Sequence, residues 1–281
     1  MHQLAMILWL TICLVLSGAE AFAQSGGSKT GRIGCPNCAN DGSLISRSLQ
    51  RADELYAVFK PKEAQVELLK VLDLDPQNAE ALSKLARVYI DFGDGIPESA
   101  PDWEAKRLKQ YQIAEQYARR AVKADPEVVW GHFYVAASLG SIATVSPIPK
   151  QIDLAGEIQS AIEKAIALDP QNGYAYHVYG VWHRKMAEIG KMSRMFASVI
   201  YGRSLPRGSM EKSIEYLKKA IALNPTVIAS RLELARTYVA VENFPSARNF
   251  LTSIDTLPVQ FSDDAKHKQK AEQLFEEIKD R

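Results

Sequence analysis

Two cysteines stand close together in Cys35-Pro-Asn-Cys38, and four histidines follow at positions 132, 177, 183 and 267. These are the side chains best suited to redox, metal or acid–base chemistry. A thioredoxin-like dithiol needs its pair at a helix start after a strand, and no strand pattern precedes Cys35. A structural zinc site needs four ligands, and there is no second cysteine pair to complete one. A small local disulfide between Cys35 and Cys38 is the leading reading, with redox or shared-metal use as alternatives. His132, His177, His183 and His267 show no H-E-x-x-H spacing, no glycine-rich phosphate loop follows a strand, and no nucleophile motif is visible. The expectation is a protein that is not an enzyme and needs no metal or cofactor.

The remaining chemistry is that of binding. Lys and Arg number 34 against 33 Asp and Glu, so nucleic acid is not the expected partner. Leu4 to Gly18 is apolar apart from Thr11 and Ser17, and Ala21-Phe22-Ala23 offers an A-x-A cleavage pattern. Residues 1–23 are therefore read as a signal peptide and the chain as exported, periplasmic or secreted. The alternative is a membrane anchor left by an uncleaved signal. Residues 24–43 are rich in Gly, Ser and Asn and form a flexible leader that carries the cysteine pair.

The elements that position any binding residue are set by a phrase used four times. It reads Val71-Leu-Asp-Leu-Asp-Pro76, Ala121-Val-Lys-Ala-Asp-Pro126, Ala165-Ile-Ala-Leu-Asp-Pro170 and Ala220-Ile-Ala-Leu-Asn-Pro225. Proline lacks the amide a continuing helix needs and drives the preceding residue out of the α region, so each phrase ends a helix. Apolar residues at spacings of three and four resume after each one, so a new helix starts. Small residues recur upstream, as at Ala52, Ala64, Ala235 and Ala247. This resembles the tetratricopeptide pattern, in which small residues let two antiparallel helices touch and proline ends the unit.

The expected fold is all-α: an α-α superhelix, or solenoid, of about five tetratricopeptide-like helix pairs with a C-terminal capping helix. The repeat domain spans 44–281, divided at 44–78, 79–128, 129–172, 173–227 and 228–261. The cap, 262–280, is a Ser-capped amphipathic helix facing inward through Ala265, Ala271, Leu274, Phe275 and Ile278. The prolines stand 50, 44 and 55 residues apart, against a unit of about 34. The middle repeats are thus stretched, and in the fourth the extra length supplies a short helix at 191–202.

The run His177-Val-Tyr-Gly180-Val-Trp182, then Met192-Ser-Arg-Met-Phe196-Ala, Tyr201-Gly-Arg-Ser-Leu-Pro206 and Ser213-Ile-Glu-Tyr-Leu217-Lys-Lys-Ala220 is similar to the regulator of microtubule dynamics family. That resemblance covers roughly 45–280 and implies a helical-repeat binding protein; one member of the family resembles a lipid-transfer module. An exported chain would meet no tubulin, so the fold is expected to carry over and the microtubule role is not.

In tetratricopeptide folds the first helix of each pair lines the concave face. Counting from the prolines places Trp130, Phe133, Tyr174, His177, Arg184 and Arg236 there, an aromatic face with two arginines suited to a protein or peptide partner. An alternative is that these aromatics pack against the inserted helix. Met195 and Phe196, with Met192 and Val199, form an apolar stripe on that helix, rimmed by Arg194 and Arg203. It is either docked permanently or a lid over a lipid or other apolar ligand. The leading expectation is a scaffold that holds a protein or peptide partner in its concave groove, and the alternative is a lipid carrier.

Overall fold

In the computed structural model, which describes residues 38–190, 194, 199, 202 and 205–281, each Asp/Asn-Pro phrase ends a helix in the same way. Asp75, Asp125, Asp169 and Asn224 have φ of −137°, −141°, −136° and −129°. Each still donates its amide to the carbonyl four residues back, on Val71, Ala121, Ala165 and Ala220, at 2.7 to 3.0 Å. The aspartates then accept the amide two residues on, from Gln77, Glu127 and Gln171, which closes the turn around the proline. Asn78 and Asn172 restart the chain, each accepting an amide at 3.0 Å from the third residue beyond it.

Eleven helices and no strand result among the described residues. They pair as α1 (Cys38–Ala57) with α2 (Pro61–Leu74), and α3 (Ala79–Asp94) with α4 (Trp103–Ala124). The next pairs are α5 (Val129–Thr144) with α6 (Ile148–Leu168), and α7 (Gly173–Glu188) with α8 (Met210–Leu223). The last is α9 (Ile228–Ala240) with α10 (Phe244–Ile254), and α11 (Asp264–Ile278) closes the array. This is the expected α-α superhelix. The first helix begins at Cys38, ahead of position 44. No helix of the described residues is long and apolar enough to cross a membrane.

Small residues set the distance within pairs. Ala86, Ala114, Ala118, Ala121, Ala220, Ala235 and Ala247 have no exposed surface. A Cβ on Gly180 of α7 would stand 2.6 Å from Leu217 Cγ of α8, so glycine is what lets these two helices meet. One core runs from α3 through the cap, and a smaller one joins α1, α2 and α3.

The two compact repeats turn tightly. Phe59 N–H donates to Tyr56 and Lys60 N–H to Leu55, and Glu242 and Asn243 repeat the pattern onto Val239 and Tyr238. This is the Schellman ending, which requires a left-handed residue and usually takes glycine. Here the position is held by Phe59 and Glu242, both at φ 58°.

The cap departs from the expectation. Ser262 is exposed, and the residue preceding the helix is Asp263. Asp264 supplies the hydrogen bonds, its Oδ2 accepting the amides of Gln260 and Phe261 at 2.8 Å each. A carboxylate oxygen accepts two amides at once more readily than a hydroxyl, and the helix dipole favours it there. Ala265 is exposed as well; the inward side of the first turn is Asp263, Asp264 and His267, and it becomes apolar only at Ala271 and Ile278.

Candidate functional site

The first helices of the pairs contribute a continuous inward line. On α3 it starts at Lys84, buried between Asp53 at 2.6 Å and Glu80 at 2.7 Å. One turn on, the Arg87 guanidinium lies over the Tyr56 ring, 3.5 Å from its centroid. Asp91 and Asp94 follow at the end of α3. On α5, Trp130 is stacked on Tyr134 and tilted against Tyr174 of α7.

Further along α7, His177 Nδ1 lies 3.0 Å from Ser230 Oγ of α9. Arg184 pairs with Glu233 of α9 and, at 2.8 Å, with Glu188, while Arg236 pairs with Glu233 from the other side.

Of the six expected face residues, Trp130 and Tyr174 are partly buried and in contact with each other, and Arg236 keeps some exposure. Phe133 has no exposed surface and packs in the core. His177 and Arg184 are buried too, enclosed by α9. The physical reason is a carboxylate that counting from the prolines does not reach: Glu233 sits one helical turn before Arg236 and draws both guanidiniums onto itself. Burial would raise its pKa, but Arg236 and Arg184 override this and hold it well below the usual carboxylate range. Burial lowers His177 to about 4, so it is a neutral hydrogen-bonding group at ordinary pH.

Arg194 serves the main chain. Its guanidinium donates to the carbonyls of Ile189, Leu205 and Pro206 at 2.9 to 3.2 Å and also to that of Met186. It ties the end of α7 to the segment leading into α8, rather than lining a rim open to a carboxylate or phosphate. Met195, Phe196, Arg203 and Cys35 lie outside the described residues, as does the side chain of Cys38.

The superhelix curves until its end faces its beginning. The charge of Asp263, at the start of α11, acts on Asp91 and Asp94 at the end of α3. Burial raises Asp91 well above its ordinary value, with Asp94 and Asp263 adding to the shift. Burial pushes Asp94 up to about 7 against the hydrogen bond it accepts from Tyr111, and Asp263 up to about 6.

Beside these acids opens a cleft of about 1000 Å³ whose walls include Tyr56, Phe59, Val66, Phe92, Ile96 and Pro97. Lys60, Lys62, Asp91 and Ser262 also line it. Phe59 and Val66 are 49% and 53% exposed. No apolar periodicity marks Phe59; its signal is its place directly before Lys60-Pro61, at the tight turn of a compact repeat.

The model of the family described as regulator of microtubule dynamics protein 1-3 matches residues 48–279. The chain belongs to this family. Bovine regulator of microtubule dynamics protein 1 is 26% identical over 238 residues, covering 84% of this chain and 73% of the bovine protein. Protein 3 of Xenopus laevis is 27% identical over 75% of this chain, which spans only 45% of the frog protein's length. Among solved structures, a tetratricopeptide protein of Thermus thermophilus superposes with a TM-score of 0.58 at 17% identity. That match covers 82% of this chain and 99% of the other, and it shows the fold. Family and fold together describe a helical-repeat protein.

Proposed function

We propose that this chain is a non-enzymatic scaffold that binds a protein or peptide segment on the concave side of its superhelix, entering by the cleft between α2, the end of α3 and the start of α11. The observation that carries the reading is Phe59. A bulky side chain in the left-handed region costs on the order of 1 kcal/mol that glycine would avoid. The ring nevertheless stays half exposed in the cleft, so packing inside the protein does not account for it. Phe59, Val66 and Phe92 offer an apolar anchor, and Lys60 and Lys62 suit an acidic group beside it. The binding face continues to Trp130 and Tyr174, with Phe133, His177, Arg184 and Arg236 fixing the helices behind them. The export signal expected at 1–23 places the partner in the periplasm or outside the cell.

The test uses Phe59→Gly, which relieves the backbone while deleting the ring. The expected outcome is an unchanged or higher Tm together with loss of a partner captured by the parent chain. Val66→Asp, at an exposed position, is expected to lose the same partner. Undiminished capture by both variants overturns the proposal.

A further inference from the structure

We infer that the first turn of α11 binds one divalent first-row transition ion, with zinc as its representative, through Asp263, Asp264 and His267. The three residues fall at i, i+1 and i+4 on one turn of helix, and their donor atoms all lie within 4.8 Å of one another. They are 8%, 0% and 5% exposed, so each is more than nine-tenths buried.

Each side chain uses one polar atom within the protein and leaves the other without a partner. Asp264 Oδ2 accepts two amides, while its Oδ1 has no hydrogen bond among the described residues. His267 Nε2 lies 3.3 Å from Asp263 Oδ2, and His267 Nδ1 and Asp263 Oδ1 have no hydrogen bond. The unpartnered Nδ1 and Asp264 Oδ1 are 3.9 Å apart. An acid that only caps a helix, or a histidine that only fills a core, satisfies its buried polar atoms. The unsatisfied Asp264 Oδ1 and His267 Nδ1, 3.9 Å apart, on residues that with Asp263 each offer a ligand atom within 4.8 Å of the others, are what a shared cation would join.

Asp263 acts in turn on Asp91 and Asp94 at the end of α3, with Lys266 opposing it, and Asp94 Oδ2 is buried and without a hydrogen bond among the described residues. One imidazole among carboxylates selects the ion. Magnesium and calcium prefer oxygen alone, whereas zinc, manganese and iron accept the mixed set. The inference is independent of the peptide-binding proposal, since its ligands are buried behind the cleft and not among the apolar residues that line it.

The experiment uses the full chain with Cys35→Ser and Cys38→Ser, so that the cysteine pair contributes no zinc binding. After chelation and dialysis, zinc, magnesium and calcium are each titrated by calorimetry, and Tm is followed in parallel. Zinc is expected to bind one to one and raise Tm, with magnesium and calcium doing neither at the same concentration. His267→Gln, and separately Asp263→Asn, are expected to weaken zinc binding by at least about tenfold. Circular dichroism checks that each variant is folded. Absence of stoichiometric zinc binding in the parent chain overturns the inference, as does unchanged affinity in the two folded variants or equal binding of magnesium or calcium.

Discussion

Replacing Glu233 by Gln keeps volume and a hydrogen-bonding group but removes the buried charge that joins α7 to α9. Among the described residues Arg184 then keeps Glu188, at 2.8 Å and partly exposed, as carboxylate partner for a side chain that is 5% exposed. Removing one partner of a buried ion pair costs about 3–5 kcal/mol, because the other charge is left in a poor solvent. The surviving Glu188 contact puts the expectation at the low end, about 3 kcal/mol. At about 2–4 °C per kcal/mol for a domain of this size, Tm should fall by about 6–12 °C.

Urea unfolding at pH 7, followed by circular dichroism, measures the loss directly. Glu188→Gln is the comparison: its carboxylate is more exposed, and it should cost about 1 kcal/mol or less. The sign with pH is also set. Because the folded-state pKa of Glu233 is depressed, its stabilisation is fully present above the ordinary glutamate value of 4.5 and is lost as pH falls below it. The Gln variant should lack that part of the acid sensitivity. A cost for Glu233→Gln no larger than that of Glu188→Gln would refute the picture of a buried carboxylate that holds both arginines.

Three further outcomes are expected. Ala220→Leu, at a fully buried contact between α7 and α8, should destabilise by about 1–3 kcal/mol through overpacking, read as a lower urea midpoint. His177 and Asp94 should give opposite slopes in a stability–pH profile taken in chelator. His177, with its pKa lowered from 6.5 to about 4, weakens the fold as pH falls through that window, so His177→Asn removes that loss. Asp94, raised from 3.8 to about 7, weakens it as pH rises through that window, so Asp94→Asn should be relatively more stable at pH 8 than at pH 4. Arg194→Ala, which frees four carbonyls, should make the chain cleave faster between Gly190 and Pro206 under limited proteolysis, with little change in the rest of the digest.

The helical frame was legible because its signals are local. The proline phrases announce four helix ends, and the four cap geometries are nearly identical. The starts of α4 at Trp103 and α7 at Gly173 follow from sequence that only neighbouring residues interpret. The site was less legible because it depends on curvature. Repeat positions identified Arg184 and Arg236 but not Glu233: its pair with Arg236 is local to α9, whereas it becomes the partner of Arg184 only when α7 and α9 pack side by side. Nothing in the repeat spacing brings Asp263 near Asp91 and Asp94, which lie far apart in the chain. The run Asp263-Asp264-Ala-Lys-His267 did carry a signal, because its spacing puts the first acid and the histidine on one helix face; a search for paired histidines alone passes over it.

The approach of α11 to the end of α3 also bears on how many repeats this architecture admits. An open solenoid can lengthen by adding units at its end, and its stability is close to a sum over neighbours. Here the last helix faces the second pair, and Ser262 forms part of a cleft built by the first two. A sixth pair placed before α11 would carry it away from that position. The length of the array is therefore a closure condition, and its two ends should unfold as a single unit instead of fraying one repeat at a time.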